Sequence, residues 1–430
     1  MMKTKKSMNK MDQMLFWNKP EVLAPREVEL NNTNKLFTVV SLFAGCGGLD
    51  LGFSGDFKYR KFFFPKNPFK IILANDIDST AASVYDANGR YLGHKMLKED
   101  VKNLAEHDIP DFDVLLAGFP CQPFSNAGQR KGVNDKRGTL FQECERILKI
   151  GLARERKPSA FVFENVRGIM SSKMPDGNSV PDEIVRLTEA LGFKTTYKLV
   201  NSSHYGVPSD RHRLLIVGVK KDLGIFDFNM LDNMVEKHAL PNSKVDPYEL
   251  LLGSIISDIP DDAPQKCDFW PYSPSVQCMV EKIGTCNDRE NALKKFIGKT
   301  PISEISATIT NGRSWKDMDP NDMTPRFRKI WDNPKKYHAP KFYRRFALGE
   351  INGTITASAQ PENCGITHPF LNRRFTIREI ARIQSFPDDF VFPYTNIANA
   401  YKVIGNAVPP ILGWVVARAL AEFLAERLGK

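Results

Sequence analysis

The sequence predicts an α/β fold, a doubly wound and mostly parallel sheet joined to a smaller irregular domain. Three observations carry that prediction. Short apolar runs recur, each closed by turn residues, with helical segments between them. The runs end, in order, in a glycine-rich turn, two acids, a cysteine and a further acid. In a doubly wound sheet such run ends share one ligand-facing edge. From about residue 220 to about 370 the rhythm is lost, prolines recur and helical patterns are short.

Residues 1–35 are polar and rich in Lys and Asn, and read as an extension. Strand Leu36–Leu42 runs into Phe43-Ala44-Gly45-Cys46-Gly47-Gly48, where glycines allow a tight turn and close approach to a ligand. By itself such a turn is as often only a turn. Strand Lys70–Ala74 ends at Asn75-Asp76-Ile77-Asp78. An acid here can accept from a ribose, or Asp76 or Asp78 can cap the helix opening at Ser79. The insert Phe57–Phe69 is aromatic and basic and reads as a surface elaboration. Another acid follows in Glu99-Asp100-Val101.

Val114–Ala117 is the next strand, leading into Gly118-Phe119-Pro120-Cys121-Gln122-Pro123-Phe124-Ser125. Pro120 fixes its own φ and keeps Phe119 out of the helical region, so the thiol of Cys121 is well placed for a nucleophile. A buried structural cysteine is the competing reading of the stretch alone. Residues 126–138, glycine-punctuated and basic, read either as a mobile loop beside the thiol or as a solvated one. Strand Ala160–Phe163 ends at Glu164-Asn165-Val166. A cysteine with a carboxyl and no evident histidine suits attack on a ring carbon, the carboxyl serving a ring nitrogen. Arg211 and Arg213 alternate onto one face ahead of strand Leu214–Gly218, for anion or carbonyl binding or as a surface salt-bridge ladder.

Between Arg326 and Arg345 lie eight Lys/Arg and one Asp, interleaved with Phe327, Trp331, Tyr337, Phe342 and Tyr343. That mixture fits contact with nucleic acid as well as a solvated face. Thr376 and Glu379 have capping-box spacing, and an amphipathic helix is expected from Ile411 to Leu428. The expected division is 1–35, 36–219, 220–400 and a segment 401–430 that returns to the first domain.

Sixty basic against fifty acidic residues give the 430-residue chain a formal charge of +10, which favours a polyanionic partner. Seven cysteines without a C-x-x-C pair argue against a disulfide framework or structural zinc, and no metal is expected. No membrane-spanning run or signal-peptide core is expected, so the reading is a soluble, cytoplasmic protein.

Taken together, these motifs resemble the DNA cytosine-C5 methyltransferases that partner bacterial restriction enzymes. The resemblance rests on Phe43–Gly48, Asn75–Asp78, Asp100, Gly118–Ser125, Glu164-Asn165-Val166, Arg211-x-Arg213, Arg374-Phe375-Thr376-x-Arg378-Glu379 and Gly405-Asn406-Ala407-Val408-Pro409. It spans roughly 36–410 and leaves most of 220–350 unmatched. One departure is Ser209, where the family usually has glutamine.

The resemblance implies a Rossmann-like S-adenosylmethionine-dependent domain with a target recognition domain at 220–400. Phe43, Gly45, Gly47, Gly48, Asp76, Ile77, Asp100, Phe119 and Asn406 would hold S-adenosylmethionine. Cys121 would attack cytosine C6, Glu164 would engage N3 and the exocyclic amine, and Arg213, with Arg211 near it, would bind O2. Ser125, Gln129, Arg130, Arg137, Arg326, Arg328, Lys341 and Arg344 would face double-stranded DNA. The expected enzyme acts as a monomer on a GC-rich palindrome of the GGNCC type and is paired with a cognate restriction endonuclease. Its rivals are an RNA (tRNA) cytosine-C5 methyltransferase and a non-catalytic DNA-binding regulator of the same fold.

Overall fold

The computed structural model describes residues 36–120, 140–174, 177–286, 312–333, 342–362 and 364–429. The extension 1–35, the stretch 121–139 with Cys121, Ser125, Gln129, Arg130 and Arg137, and Lys341 lie outside the described residues, as does the side chain of Arg326.

The first half of the chain supplies the sheet. In order come β1 (Phe37–Leu42), α1 (Gly48–Ser54), the hairpin β2 (Phe57–Tyr59) and β3 (Phe62–Phe64), β4 (Phe69–Asn75), α2 (Ser79–Ala87), β5 (Val114–Ala117), α3 (Leu140–Leu152), β6 (Ala160–Val166), α4 (Val180–Ala190), β7 (Phe193–Asn201), β8 (Ser209–Asp210) and β9 (His212–Lys220). The six-stranded sheet has the order β4-β1-β5-β6-β9-β7. Strands β4, β1, β5 and β6 pair in parallel, and β9 is antiparallel to both of its neighbours. The link from β7 to β9 carries no crossover helix, so the chain can only turn back. From β1 the chain passes to β4 on one side and then to β5 on the other. That reversal opens the crevice where ligands bind in such sheets.

Both faces of the sheet are covered, which the period-two alternation makes visible. Val39, Leu116 and Val162 enter one apolar cluster, whereas Val40, Leu115, Phe161 and Phe163 enter the other. Opposite Phe161 stands Gly218; a Cβ there would come within 2.2 Å of the Phe161 ring. The glycine is what lets that ring lie over β9.

Later elements are α5 (Asn229–Lys237), α6 (Pro274–Ile283), α7 (Pro325–Trp331), the short β10 (Asn352–Gly353), α8 (Ile377–Ile383), α9 (Ile397–Asn406) and α10 (Pro410–Leu428). Helix α8 starts with the expected box: Thr376 Oγ1 accepts from Glu379 N, and Glu379 Oε2 accepts from Thr376 N at 2.6 Å. Helix α10 is not amphipathic over most of its length. Every residue from Pro410 to Ala421 is buried, because the helix is enclosed by α1, α5 and the β2–β3 hairpin. The stretch Ile397–Leu428 is also apolar enough by composition to cross a membrane, contrary to expectation, but 94% of its apolar window is packed inside the protein.

The insert 57–69 is likewise no surface elaboration. Phe57, Tyr59 and Phe64 are buried, and Phe64 meets Trp414 edge-on at 5.3 Å. Tyr59 donates its hydroxyl to Arg382 O at 2.8 Å, and Arg60 pairs with Glu249 at 3.2 Å. The hairpin therefore braces the sheet against the second half of the chain.

The described backbone in and around α6 and α8 leaves carbonyls without ladder partners, and buried arginines satisfy them. Arg345 donates to His368 O, Leu371 O and Val280 O at 2.7–2.8 Å. Arg374 reaches Ala359 O, Trp270 O and Pro271 O, and Arg378 reaches Pro264 O, Pro387 O and Phe390 O. A guanidinium carries five donors in a rigid fork, which suits it to this task.

Candidate active site

The glycine turn after β1 forms because three backbones in it adopt positive φ: Phe43 at 53°, Gly45 at 58° and Gly47 at 86°. For Phe43 this is strained, a cost of order 1–3 kcal/mol that recurs at functional sites. A Cβ on Gly47 would lie 2.7 Å from Leu92 Cδ1 and 3.0 Å from the Tyr85 ring, while nothing stands within 4 Å of one on Gly45. So the turn is packed on its inner side and open on the outer.

Asp76, just past the end of β4, reaches across to this turn. Its Oδ2 accepts from Gly45 N at 2.9 Å and its Oδ1 from Asp78 N at 2.8 Å. Burial pushes the Asp76 carboxyl upward against those bonds. The helix cap is Asp78, whose Oδ1 accepts from Thr80 N and Ala81 N. Ile77 between them is 64% exposed, an apolar side chain standing free beside the crevice. Asn75 Nδ2 donates to Leu97 O and Glu99 O, which lays residues 97–99 along the strand end. Asp100 follows, half-buried, and caps the next turn through Lys102 N at 3.0 Å.

Helix α9 closes the turn from the far end of the chain. Lys402 pairs with Asp78 Oδ2 at 2.6 Å, the Cys46 thiol donates to Val403 O at 3.6 Å, and a Cβ on Gly48 would strike Val408 O. Exposed Asn406, the last residue of α9, is thereby placed next to the glycine turn. Lys402 as a tether was missed, since nothing local in the sequence distinguishes it from any other surface lysine.

On the other side of β1, Ala117 of β5 pairs with Phe163 of β6, so Gly118 lies level with Glu164. A Cβ on Gly118 would sit 3.7 Å from both Glu164 Oε2 and Phe43 O. This one residue joins the turn to the acid. Phe119 is buried with its ring against Phe141 and Phe163, and its carbonyl accepts from Asn165 Nδ2 at 3.1 Å. Asn165 is an anchor that the sequence reading passed over, although it stands inside the Glu-Asn-Val motif. The chain is thus held firmly up to Pro120, the residue before Cys121.

Glu164 and Arg213 form a buried ion pair, Oε1 to Nε 2.7 Å, with both side chains under 10% exposed. Burial raises the Glu164 carboxyl; Arg213 and then Arg211 oppose that rise. Neither arginine belongs to a surface ladder, for both are buried. Arg211 also departs from the expected contact with a base. Its guanidinium donates to Ile355 O at 2.9 Å, Gly405 O at 2.9 Å and Ala407 O at 3.0 Å. Ser209, at the position of the family's usual glutamine, is buried on β8 and directs its hydroxyl to Gly353 O at 3.4 Å.

The basic-aromatic stretch is divided in two by packing. Phe327 and Tyr343 are core, clustered with Trp315, Met279 and Ile330. Arg344 pairs with Glu350, donates to Gly312 O and covers the Phe346 ring, so its fork is used within the protein. Arg328 stays about half exposed beside Asp332 and can face a phosphate.

A doubly wound sheet that gathers a glycine turn, an acid and a buried Glu–Arg pair along one carboxyl edge is an α/β fold of the ligand-binding class. Residues 37–422 match the sequence model of the family described as C-5 cytosine-specific DNA methylase. Type II methyltransferase M.FnuDI of Fusobacterium nucleatum is 31% identical over 390 residues, covering 90% of this chain and 95% of that one. Type II methyltransferase M.NgoPII of Neisseria gonorrhoeae is 31% identical over 395 residues, covering 90% and 96%. The crystal structure of S. pombe Dnmt2 methyltransferase superposes with a TM-score of 0.54 at 16% identity, covering 92% of this chain and all of that one, and supports the fold. The chain belongs to the C-5 cytosine-specific DNA methylase family. It is a DNA cytosine-C5 methyltransferase similar to the modification enzymes of type II restriction systems.

Proposed function

We propose that the enzyme transfers the methyl group of S-adenosylmethionine to C5 of a cytosine flipped out of a short duplex site. The observation that carries this reading is Gly118, which lies between Glu164 and the Phe43 turn at the foot of the strand end leading to Cys121. Glu164 and the Phe43 turn thus meet at one point of the sheet edge, which supports a base on one side of it and the methyl donor on the other.

The cofactor side fits that donor. Gly45 is open, Ile77 offers an apolar face for an adenine, and Asn406 is exposed beside the turn. Asp76 has accepted two backbone N–H bonds and still has lone pairs for ribose hydroxyls. Asp100 would take the adenine amino group. S-adenosylmethionine supplies an electrophilic methyl group there.

On the base side, the Cys121 thiolate adds to C6 and forms an S–C bond. The displaced electron pair moves into the ring toward N3 and O2 and makes C5 nucleophilic. Glu164, whose carboxyl is raised by burial against the opposing pull of Arg213, is placed to share or donate a proton to N3. Arg213, on the same face, faces O2. C5 takes the methyl group and S-adenosylhomocysteine is released; transfer of the C5 proton to water then expels the Cys121 sulfur and restores the ring. A stacked cytosine shields C6, so extrusion costs about a few kcal/mol, offset by these contacts. The segment after Cys121, with Ser125, Gln129, Arg130 and Arg137, would close on the DNA.

The same reading places the enzyme in the cytoplasm as a monomer, with residues 220–400 reading a GGNCC-type palindrome and the methyl mark protecting host DNA from a paired endonuclease. Labelled methyl transfer to duplex DNA, bisulfite mapping of the modified site, and covalent capture by DNA containing 5-fluorocytosine test it. Transfer to tRNA in place of DNA, or an adduct that survives Cys121→Ala, would overturn it.

A further inference from the structure

Arg211 is fully buried between β8 and β9, yet no carboxylate of the described residues bonds its guanidinium. Its Nη atoms donate to three carbonyls from two distant segments. Ile355 lies two residues past β10, the strand of the second half of the chain that pairs with β8. Gly405 O and Ala407 O flank Asn406 at the carboxyl end of α9, where helix carbonyls lack partners and a cation is favoured. Those two segments also touch: a Cβ on Gly405 would lie 2.5 Å from the Thr356 carbonyl carbon and oxygen. Two residues beyond Arg211, on the same face of the strand, Arg213 holds Glu164.

A buried guanidinium is costly, and an apolar side chain of similar volume packs such a position at least as well. What an apolar side chain cannot do is hold Ile355, Gly405 and Ala407 in fixed relation to Arg213. We infer that Arg211 is a positioning residue that couples the methyl-donor site at Asn406 to the DNA side, through Ile355 and through Arg213, so that each ligand strengthens binding of the other. The inference rests on the roles given above to Asn406 and Arg213. Occupying the donor site fixes residues 405–407, and Arg211 transmits that order to residues 355–356 and to the base-binding strand. Linkage then requires the same coupling factor in both directions.

The test uses the full chain, S-adenosylhomocysteine as the donor-site probe and duplex DNA containing the methylated site. Affinity for DNA is measured with and without the probe, and affinity for the probe with and without DNA. In the natural protein each should tighten the other by about tenfold, within the usual range of coupling between sites. Arg211→Lys keeps the charge but cannot span both segments. It should bind each ligand alone within about threefold of the natural protein, while the coupling factor falls to about one. A factor near one in the natural protein, or a natural factor in Arg211→Lys, overturns the inference.

Should Arg211→Lys fail to fold, hydrogen exchange on the natural protein decides. The probe alone should slow exchange of amides 353–358, and unchanged exchange there overturns the coupling. Methyl transfer by the natural protein is measured in parallel. Its absence refutes the proposed reaction, whereas transfer with an unaltered factor in Arg211→Lys refutes only the coupling.

Discussion

Replacing Arg213 with methionine removes the cation but keeps most of the volume, and leaves Glu164 buried with its nearest partner gone. Breaking such a pair costs about 3–5 kcal/mol when the survivor stays charged. Glu164 has a way out, since burial already raises its carboxyl and loss of Arg213 removes the first opposing influence. The sign then follows. Below about pH 4.3, the ordinary glutamate value, folded and unfolded chains both hold the proton and the variant loses little. As pH rises, the natural carboxyl ionises beside Arg213 while the variant's, without that cation, still resists, and the deficit grows at up to about 1.4 kcal/mol per pH unit until the variant's carboxyl ionises too. At pH 8 the deficit should reach about 3 kcal/mol. Unfolding entropy for 430 residues is about 0.9 kcal/mol/K, so Tm should drop by about 3 °C at pH 8 and under about 1 °C at pH 5. Parallel melting of the natural protein and Arg213→Met at both pH values measures it. On the role at O2 proposed for Arg213, the same variant should also lose about 100- to 1,000-fold in kcat/KM. An equal Tm deficit at pH 5 and pH 8 would refute the reasoning, because a plain packing defect does not titrate here.

Gly47→Ala forces an L-residue to φ 86° with its Cβ 2.7 Å from Leu92; KM for the methyl donor should rise at least tenfold by about 1–2 kcal/mol of local strain, with KM for DNA unchanged, as steady-state kinetics would show. Tyr59→Phe deletes the 2.8 Å bond to Arg382 O and should lower stability by about 1 kcal/mol in a urea titration while leaving methyl transfer intact. Arg344→Gln should lower stability in the same titration, because its fork holds Glu350 and Gly312. The salt dependence of DNA binding should stay as it was. Arg328→Gln should do the reverse, lowering the salt slope by about one unit with little change in stability.

The sheet edge was legible because its signals are local. A strand shows its period and its end shows a turn residue, so Asp76, Gly118 and Glu164 could be placed on one edge without knowing which strands pair. Asp78 and Asp76 could not be told apart from sequence, since the choice depends on Gly45, thirty-one residues upstream of Asp76, presenting its N–H. For Arg211 and Arg213, alternation gave the shared face but not the destination. The two guanidiniums diverge only because Gly405 and Ala407 return from the far end of the chain.

The same limit governs the positive charge. Arg345, at the end of the basic-aromatic run, looks like part of a nucleic-acid footprint in sequence, yet it, like Arg374 and Arg378, is buried and held by backbone carbonyls rather than carboxylates. Irregular backbone needs donors, and the described segments around α6 and α8 that lie outside helices and strands recruit them from the chain's own basic residues. Part of the formal +10 is therefore interior charge that no phosphate can reach. The salt dependence of DNA binding should report the exposed cations alone, and a slope that tracked the whole composition would mean these side chains turn outward when DNA binds.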